Sequence, residues 1–475
     1  MKIKKQICGF VAFVLLLSQV AMITKAEEEL PEGQTLEEIM EEKERIRQES
    51  FDTPPETNRI ADWPEGPHIY GHAAILMEMN SGAILYAKRA EQRFYPASIT
   101  KLLTTLVALE NSNLEDVIVF SEESIAFLQW DYAHISVQPG EELTMEQALY
   151  ALLLASANEV GYGIAETIGT AMGGDHDTFL EQMNTRAQEI GAMHSHWSNA
   201  HGLHGADHYT TAYDMALIMA ELYQNPAFLH FMSCLEYKIP ETNKTEEERF
   251  LFQNHQMLWP ENYWHHPYVT GGKTGFTNQA GTTLVTTADN ETMQLVAVVL
   301  HDYGVQVYNS TAALLDYGFD NFVPFRLDET GEDEFIQAFL DPDAVIVLPR
   351  GMEFDRVERK IVLKEEGDLA GRAYYSFAGQ MLGVADVIVT QAFLESLLVE
   401  EIEEEDALLA EIYPYPRGDI ADDQEVIYRT LPIFVIVIAL GAIVLFFMIL
   451  VVLVRRKREL ARIKRQLNKQ IIERK

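Results

Sequence analysis

Short apolar runs separated by turn signals predict strands near both ends of the main part of the chain. Residues 73–79 and 83–87 are apolar runs on either side of Asn80-Ser81-Gly82, so they predict two strands joined by a tight turn. Residues 281–288 and 293–300 give two further strand patterns. Strands this far apart in the sequence predict one sheet that is assembled from distant parts of the chain.

Between these strands, apolar residues recur at helical spacing. The repeat predicts helices over residues 98–110 and from residue 146 onward. Thr144 lies three residues before Gln147, which is the spacing of a capping box at the start of the second helix. The helical middle and the strands together predict one large unit over residues 67–322.

A smaller unit is predicted over residues 323–395. Its short apolar runs, over residues 344–348 and 360–363, are separated by glycines and indicate strands. This unit has no cluster of catalytic residue types. We therefore interpret it as a spacer or docking module.

Two acidic segments flank the folded units. Residues 27–66 are acidic and then rich in proline, with at most one helix over residues 35–48. Residues 396–430 are again acidic and contain Pro414 and Pro416. Both segments are interpreted as spacers.

Long apolar segments lie near the two ends of the chain. Three lysines in the first five residues precede an apolar run over residues 7–23, and small residues before a cut after Ala26 are typical of a cleaved signal peptide. An uncleaved membrane anchor is the alternative for this N-terminal segment.

A second long apolar segment lies near the C-terminus. Residues 431–454 contain no charged side chain and are long enough to cross a membrane as a helix.

The basic C-terminal tail, residues 455–475, predicts the orientation of that helix. The positive-inside rule keeps the tail in the cytoplasm, so the acidic body is expected outside the cytoplasm and attached to the cell membrane. Apolar residues in the tail recur at helical spacing, which fits a short amphipathic helix on the membrane surface. A plain stop-transfer signal with a solvated end explains the tail equally well.

The composition of the 475 residues excludes several classes of protein. The net charge is −37, and because both ends are basic, the acidic excess is concentrated in residues 27–454. Such a field repels phosphate backbones, so we expect no nucleic-acid partner for the main body. The two cysteines are Cys8 and Cys234, and loss of residues 1–26 would leave one thiol and no internal disulfide.

A first motif with catalytic chemistry is Ser98-Ile99-Thr100-Lys101, at the start of a predicted helix. Residues three apart share a helix face, so the Lys101 amine would lie beside the Ser98 hydroxyl. A serine hydroxyl is a poor nucleophile until a base removes its proton, and a neutral lysine can do so. Taken alone the motif is weak, because a helix start with a surface lysine has the same spacing.

Two further motifs are also ambiguous in isolation. Ser156-Ala157-Asn158 ends an apolar helical run, where the polar side chains could line a cleft or merely cap the helix. Lys273-Thr274-Gly275 precedes a predicted strand, and a glycine there permits close approach of a ligand, although a turn is the plain alternative. All three motifs in this order form the set found in penicillin-binding proteins and class A β-lactamases.

On these motifs the chain resembles the serine D-alanyl-D-alanine carboxypeptidases, the low-molecular-mass penicillin-binding proteins. The resemblance covers residues 67–322 and rests on residues 95–102, 152–158, 199–214 and 272–277. It implies an α+β fold with a penicillin-binding/β-lactamase-like transpeptidase domain, in which helices pack on an antiparallel sheet. The small β-rich domain and one C-terminal transmembrane helix would follow.

The resemblance implies acyl transfer and assigns the catalytic residues. Ser98 would attack the carbonyl between the two terminal D-alanines of a peptidoglycan stem peptide. Lys101 would act as base, and Ser156 would pass a proton to the departing D-alanine. β-Lactam antibiotics would inhibit by forming a stable ester with Ser98, and no cofactor or metal is expected.

The resemblance also assigns the groups that bind the substrate. Asn158 would hold the substrate backbone by its amide, and Lys273 and Thr274 would bind the terminal carboxylate. Next to Gly275, the backbone N–H of Phe276 would form the oxyanion hole together with that of Ser98.

Three departures from the family pattern bear on these roles. Glu159-Val160 stand where many members have Asp-Ala, which is a mild change. Some members have a histidine where Phe276 stands, but only the backbone of that position is needed. The family often places an arginine beyond the Lys-Thr-Gly strand to help bind the carboxylate. No lysine or arginine occurs between Lys273 and Arg326 in this chain, so we expect weaker or altered carboxylate recognition.

Three alternatives are open on the sequence. A β-lactamase shares the motifs, but the membrane helix, the β-rich unit and the lack of a Glu-x-x-Leu-Asn segment disfavour it. A catalytically degenerate, penicillin-binding wall sensor is supported by the missing arginine. A metal site would use a group of histidines whose spacing fits no ligand signature, so we interpret them as loop histidines: His194, His196, His201, His204 and His208, with His265 and His266 later.

Overall fold

The computed structural model describes residues 36–331, 333–364 and 369–397. The predicted signal peptide, membrane helix and basic tail, residues 1–26, 431–454 and 455–475, lie outside these described residues. Within the described part, no helix combines the length and the apolar character that a membrane crossing requires.

One helix comes first along the described chain; two strands, a mainly helical middle and a strand-rich last part follow, and a short helix is the last described element. The α-helices are α1 (Leu36–Asp52), α2 (Lys101–Asn111), α3 (Glu123–Ala126), α4 (Met145–Leu153), α5 (Asn158–Ala171), α6 (His176–Glu189), α7 (Ala212–Tyr223), α8 (Pro226–Ser233), α9 (Gln306–Asn321) and α10 (Gln391–Leu397). The strands are β1 (Ala73–Glu78), β2 (Ile84–Lys88), β3 (Val117–Val119), β4 (Glu142–Thr144), β5 (Glu236–Ile239), β6 (Arg249–Phe252), β7 (Val269–Thr277), β8 (Gly281–Asp289), β9 (Gln294–Asp302), β10 (Phe322–Arg326), β11 (Ile336–Phe339), β12 (Val345–Pro349), β13 (Glu358–Leu363), β14 (Ala370–Phe377) and β15 (Gln380–Val389).

The principal sheet joins the two distant groups of strands, as the sequence predicted. It is antiparallel, with the strand order β2-β1-β9-β8-β7. The register pairs Ala74 with Val299 and Lys273 with Val285. The predicted strands over residues 73–79, 83–87, 281–288 and 293–300 are confirmed as β1, β2, β8 and β9.

Helices cover both faces of this sheet. Val296 and Val298 of β9 belong to a core cluster with residues of α2, α4, α5 and α7. Leu295 and Ala297 point to the other face and pack in a cluster with residues of α9. A strand buried on both faces needs no polar alternation, which explains its continuous apolar sequence.

The helical middle carries the first two catalytic motifs. Thr144 caps α4, because its side chain accepts from Gln147 N while the Gln147 side chain accepts from Thr144 N. The predicted capping box is therefore confirmed. It fixes the start of the apolar helix that leads toward Ser156.

The small unit is rich in strands, with a four-stranded antiparallel sheet, β11-β15-β14-β13, and the pair β10–β12. It contacts the principal sheet at the β1–β2 turn. Gln380 Nε2 donates to Ile84 O and Val384 N donates to Ser81 O, both at 2.8 Å. The small unit thus meets the sheet at the β2 edge, opposite the β7 edge that carries Lys273.

Part of the N-terminal segment that was predicted as a spacer packs onto the domain. Ser50, Thr57 and Trp63 are buried, and Trp63 Nε1 donates to Leu85 O at 3.1 Å. Apolar burial and a hydrogen bond to β2 hold this segment in place. Residues 50–66 therefore belong to the folded unit.

Lys88, at the end of β2, also attaches this N-terminal segment to the sheet. Its side chain is fully buried at the end of β2. Its amine donates to three backbone carbonyl oxygens, those of Ser50 at 2.6 Å, Ile69 at 2.9 Å and Gly71 at 2.9 Å. One side chain thus satisfies three buried acceptors from two parts of the chain.

We predict that Lys88→Met destabilises the fold, because methionine fills the space but donates no hydrogen bond. The free energy of unfolding should fall by about 2 to 4 kcal/mol, measured by urea denaturation. Lys360→Met at an exposed position of β13 is the matched control and should change stability by less than about 0.5 kcal/mol. Equal stability of the two variants would contradict the structural role of Lys88.

Candidate active site

Ser98 lies in a constrained turn ahead of α2 and not within the helix predicted from residue 98. Ala97–Thr100 is a 3-10 turn, and the α-helix begins at Lys101. Ala97 has a φ of 52°, a left-handed conformation that is uncommon for a residue with a side chain. Its carbonyl accepts from Thr100 Oγ1 at 2.8 Å, and a Cβ on Gly202 would lie 2.0 Å from the same oxygen. The turn that presents Ser98 is thus held from two sides.

The Lys101 amine is completely buried and contacts three oxygen atoms. Nζ lies 2.9 Å from Ser98 Oγ and 2.8 Å from Asn158 Oδ1, and it also bonds to the carbonyl oxygen of His201. The amide and carbonyl oxygens can only accept, so each requires one N–H of the amine. A neutral amine has two N–H groups and one lone pair. The lone pair is then available for the proton of the Ser98 hydroxyl.

The surroundings of Lys101 favour this neutral form. Burial, together with the positive charge of Lys273, holds the pKa of Lys101 well below its ordinary value of 10.5. Glu159 opposes this shift only in part, and burial raises the pKa of its own carboxyl group. Burial also lowers the pKa of Lys273, to about 7. Two amines in a dry region therefore disfavour charge on Lys101.

Ser156 supplies the second hydroxyl of the site. It follows the end of the apolar helix α4 at Leu153, as the sequence predicted, and Asn158 of the same motif begins α5. Ser156 has a φ of 58°, and its Oγ accepts from Lys273 Nζ at 3.0 Å. This conformation turns the hydroxyl toward the Lys273 amine.

The third motif lies on β7, at the edge of the sheet. The amine of Lys273 is buried and also donates to the Thr274 carbonyl at 2.8 Å. A Cβ on Gly275 would lie 2.3 Å from Thr283 Oγ1 and 2.9 Å from Ser98 N. Glycine is therefore required for the strand to approach the Ser98 turn.

A cavity of about 410 Å³ adjoins these groups. Its lining includes Ser98, Ser156, Thr274, Gly275 and Phe276. Lys101, Asn158 and Lys273 lie behind the cavity. The Lys101 amine contacts Ser98 Oγ and Asn158 Oδ1, and the Lys273 amine donates to Ser156 Oγ. The structure thus brings all eight residues predicted for the site to one pocket.

Sequence reasoning missed several residues that position these groups. The His201 carbonyl accepts from Lys101, and Gly202 abuts the Ala97 carbonyl. The glycine in Asn199-Ala-His-Gly202 was the one available signal, since a glycine often marks a close backbone approach. A backbone carbonyl has no residue signature, so the role of position 201 could not be read from the chain.

His208 supports the nucleophile turn from behind. Its Nδ1 accepts from the Ser198 N–H at 3.1 Å, so the proton is on Nε2, which donates to Thr100 Oγ1 at 2.8 Å. Thr100 in turn donates to the Ala97 carbonyl. Burial lowers the pKa of His208 to about 3, which keeps the ring neutral.

The departure at Glu159 also has a structural explanation. Its carboxyl group is fully buried, and Oε1 accepts from the Ile135 N–H at 2.7 Å. The neighbouring Asn158 N–H donates to Ala133 O at 2.9 Å. These two bonds attach the loop before β4 to the start of α5, and Ala133 lines the cavity.

The histidines that were weighed as metal ligands are engaged in other contacts. His196 Nδ1 lies 2.6 Å from Asp207 O, and the His204 ring packs edge-on against Tyr95. Among the residues that the structure describes, no group of three or more His, Cys, Asp or Glu side chains is arranged so that it could hold a metal ion. These histidines contribute hydrogen bonds and packing.

The chain is similar to known proteins. Residues 60–304 match the family model of peptidase family S11, described as D-alanyl-D-alanine carboxypeptidase. D-alanyl-D-alanine carboxypeptidase DacF of Bacillus subtilis is 27% identical over 310 residues, which cover 62% of this chain and 76% of the relative. The carboxypeptidase DacA of Haemophilus influenzae is 28% identical over 353 residues, covering 68% of this chain and 85% of the relative.

Solved structures agree with the fold. Penicillin binding protein 5 from Haemophilus influenzae superposes with a TM-score of 0.56 at 25% identity, covering 68% of this chain and 97% of that one. Penicillin binding protein 6B from Escherichia coli gives a TM-score of 0.53 at 22% identity, covering 69% and 98%. The predicted α+β penicillin-binding fold is thereby confirmed.

The buried position of the Lys101 amine predicts how the rate of Ser98 acylation depends on pH. The rate to be measured is the acylation of Ser98 in the full-length protein by p-nitrophenyl acetate, a generic acyl donor. This acylation requires the neutral Lys101 amine. Because the pKa of Lys101 is lowered, the amine stays neutral down to a pH well below 10.5, so the rate should fall only on acidification below that pKa. The Ser98→Ala variant supplies the background. A rate that keeps rising until about pH 10.5 would show that Lys101 is charged in the folded protein.

Proposed function

The chain belongs to the D-alanyl-D-alanine carboxypeptidase family, and we propose that it removes the terminal D-alanine from peptidoglycan stem peptides through an ester on Ser98. The observation that carries this proposal is the contact of 2.9 Å between Lys101 Nζ and Ser98 Oγ. The amine's other two contacts are with acceptors. A serine hydroxyl placed against a lysine lone pair is an activated nucleophile.

In the acylation step the Ser98 proton moves to Lys101 Nζ as Oγ attacks the carbonyl carbon. The carbonyl oxygen becomes negative and would be stabilised by the backbone N–H groups of Ser98 and Phe276. The close approach at Gly275 supports this pairing, since it brings β7 against the Ser98 turn. Loss of one such donor typically costs about 2.7 to 4 kcal/mol of barrier.

Collapse of this intermediate breaks the C–N bond. The leaving amine needs a proton, which Lys101 took from Ser98 and now gives up, and the Ser156 hydroxyl, bonded to Lys273, would relay it. Water then attacks the ester, with Lys101 again taking a proton, and Ser98 is regenerated. The whole cycle is a hydrolysis that uses side chains and water.

Substrate binding would use the groups around these hydroxyls. Asn158 Oδ1 accepts a hydrogen bond from Lys101 Nζ, so the Asn158 Nδ2 group would donate to a substrate carbonyl. Lys273 and Thr274 would hold the terminal carboxylate. A β-lactam imitates the terminal dipeptide in this scheme and would stall as the Ser98 ester. The curated relatives are named carboxypeptidases, and neither the wall-sensor nor the β-lactamase alternative is favoured.

We also propose that residues 1–26 direct export and that residues 431–454 anchor the protein in the cell membrane, with the catalytic domain outside the cytoplasm. The support is the sequence pattern: an uncharged apolar segment followed directly by a basic tail. An extracytoplasmic domain would face peptidoglycan, the polymer that contains the proposed substrate.

The proposed reaction is tested by the full-length protein with a pentapeptide ending in D-Ala-D-Ala. We expect release of free D-alanine and covalent labelling by a fluorescent penicillin. Ser98→Ala should lower both by at least about a thousandfold, while Ser233→Ala, on the surface of α8, should change neither. Labelling without release of D-alanine would favour the wall sensor. Rapid turnover of penicillin would favour the β-lactamase.

The proposed topology is tested by protease treatment of intact spheroplasts that express the chain with a C-terminal epitope tag. External protease should digest the acidic body and leave the tag on a short membrane-bound fragment. Lysed cells, in which the tag becomes accessible, are the control. Protection of the body in intact spheroplasts would contradict an extracytoplasmic domain.

A further inference from the structure

One acidic side chain, that of Glu159, lies behind the catalytic groups. It is fully buried at the second position of α5, directly after Asn158. Its Oε1 accepts from the Ile135 N–H at 2.7 Å, whereas none of the described residues donates a hydrogen bond to its Oε2. A buried polar atom normally has a hydrogen-bond partner, so a carboxyl oxygen without one at this depth points to another use of the group.

Glu159 can remain ionised in spite of its burial. Burial raises the pKa of its carboxyl group, whereas the backbone N–H groups of Ile135 and of Glu159 itself lower that pKa. Positive charge on His134 and Lys101 lowers it as well. The first turn of a helix also favours an anion, because the free N–H groups there carry partial positive charge. The side chain therefore brings a negative charge into the dry region that holds the Lys101 amine.

The Lys101 amine becomes positive during acylation and then requires a counter-charge. The proton of Ser98 moves to Nζ, so an ammonium forms where burial and Lys273 favour the neutral amine. The atoms in contact with Nζ are uncharged oxygens, those of Ser98, Asn158 and the His201 carbonyl. A charge that is buried without an opposite charge is costly, which would raise the barrier of this step.

The charge of Glu159 acts on Lys101 in the required direction. It raises the pKa of Lys101, against the larger effects of burial and of Lys273, which means that it stabilises the ammonium form. The two groups do not need to touch, because in a region of low dielectric a charge acts over several ångströms. The carboxyl group is held in place by α5 and by the Ile135 bond, so it is oriented before the reaction begins.

The other titratable side chains that face this pair cannot balance the ammonium. They are Lys273 on β7, His134 in the loop before β4, and His201 and His208 in the segment before α7. Amines and imidazoles are neutral or positive. Within the described part of the chain, Glu159 is thus the group with a negative charge that acts on Lys101.

We propose that Glu159 is a positioning residue for acylation that acts through Lys101: its carboxylate stabilises the ammonium that forms as Ser98 attacks. No proton passes to Glu159 in this step. The Oγ–H bond of Ser98 breaks, the Nζ–H bond of Lys101 forms, the carbonyl oxygen becomes negative and Glu159 keeps its charge. A buried carboxylate supports the charged base of a Ser-His-Asp site in the same way. The inference rests on the proposed function and adds one residue to it.

Glu159→Gln tests this role, because glutamine keeps the size of the side chain and an acceptor for the Ile135 N–H but carries no charge. The measurement is the rate of Ser98 acylation by a fluorescent penicillin, as a function of pH, in the full-length protein. We expect the rate on the plateau to fall by about tenfold or more. Because the Glu159 charge raises the pKa of Lys101, its removal lowers that pKa further, and the acidic limb of the profile should move to lower pH.

Two further variants separate charge from shape. Glu159→Asp keeps the negative charge on a side chain that is shorter by one methylene group, so its acidic limb should lie closer to that of the wild type than the limb of Glu159→Gln does. Glu181→Gln removes the same charge at an exposed position of α6 and should change neither the plateau rate nor the limb.

A measurement on the wild-type protein does not depend on how a variant folds. With carbon-13 in the carboxyl groups of the glutamates, the chemical shift of Cδ reports whether Glu159 is ionised, and its signal is the one that is absent from Glu159→Asp. We expect an ionised Glu159 at the pH of the acylation plateau.

The outcomes separate this inference from the proposed function. An unchanged profile in Glu159→Gln would overturn the inference, and so would a loss of rate by the same factor at every pH, which indicates a change of packing alone. A protonated Glu159 on the plateau of the wild type would overturn it as well. In each of these cases the carboxypeptidase proposal stands. If penicillin does not acylate the wild-type protein and no D-alanine is released from the pentapeptide, the proposed function itself fails.

Discussion

The burial of the Lys101 amine among three oxygen atoms is the constraint on which the site depends. In water the amine would be charged and could not accept a proton from Ser98. Removing it from water penalises the charged form, and a second buried amine, that of Lys273, adds to the penalty. Asn158 and the His201 carbonyl then use both N–H groups and direct the lone pair at Ser98. The chemistry of the site follows from where this one side chain is placed.

The rest of the fold provides that placement. Helices on both faces of the sheet exclude water from the region behind the cavity. Glycines at positions 202 and 275 let two backbone segments approach the Ser98 turn more closely than any side chain would allow. The left-handed conformation of Ala97 is stabilised by the Thr100 hydroxyl, which His208 orients. A strained nucleophile turn is thus supported by packing, hydrogen bonds and close backbone contact together.

The side chains of the site could be predicted because the motifs of Ser98, Ser156 and Lys273 occur together in the order found in the family, although each motif is ambiguous alone. The strands β1, β2, β8 and β9 were also predictable, since their apolar runs are bounded by turn signals. Other features depend on contacts between distant segments and leave no local pattern. The His201 carbonyl is a backbone group, and the sequence indicates that an apolar helical run ends at Ser156 but not that Ser156 itself adopts a left-handed conformation. The sequence around Ser50 and Trp63 is acidic, so it does not indicate that these two residues pack onto the domain.

The protonation state of Lys101 tests the central claim most directly. In protein with carbon-13 in its lysine side chains, the chemical shift of Cε reports whether the attached amine is neutral, and a Lys101→Arg variant assigns the signal. The account predicts that the Lys101 signal is that of a neutral amine at a pH well below 10.5, the ordinary lysine pKa, and changes only on further acidification. A Lys101 amine that stays charged up to about pH 10 in the folded protein would contradict it.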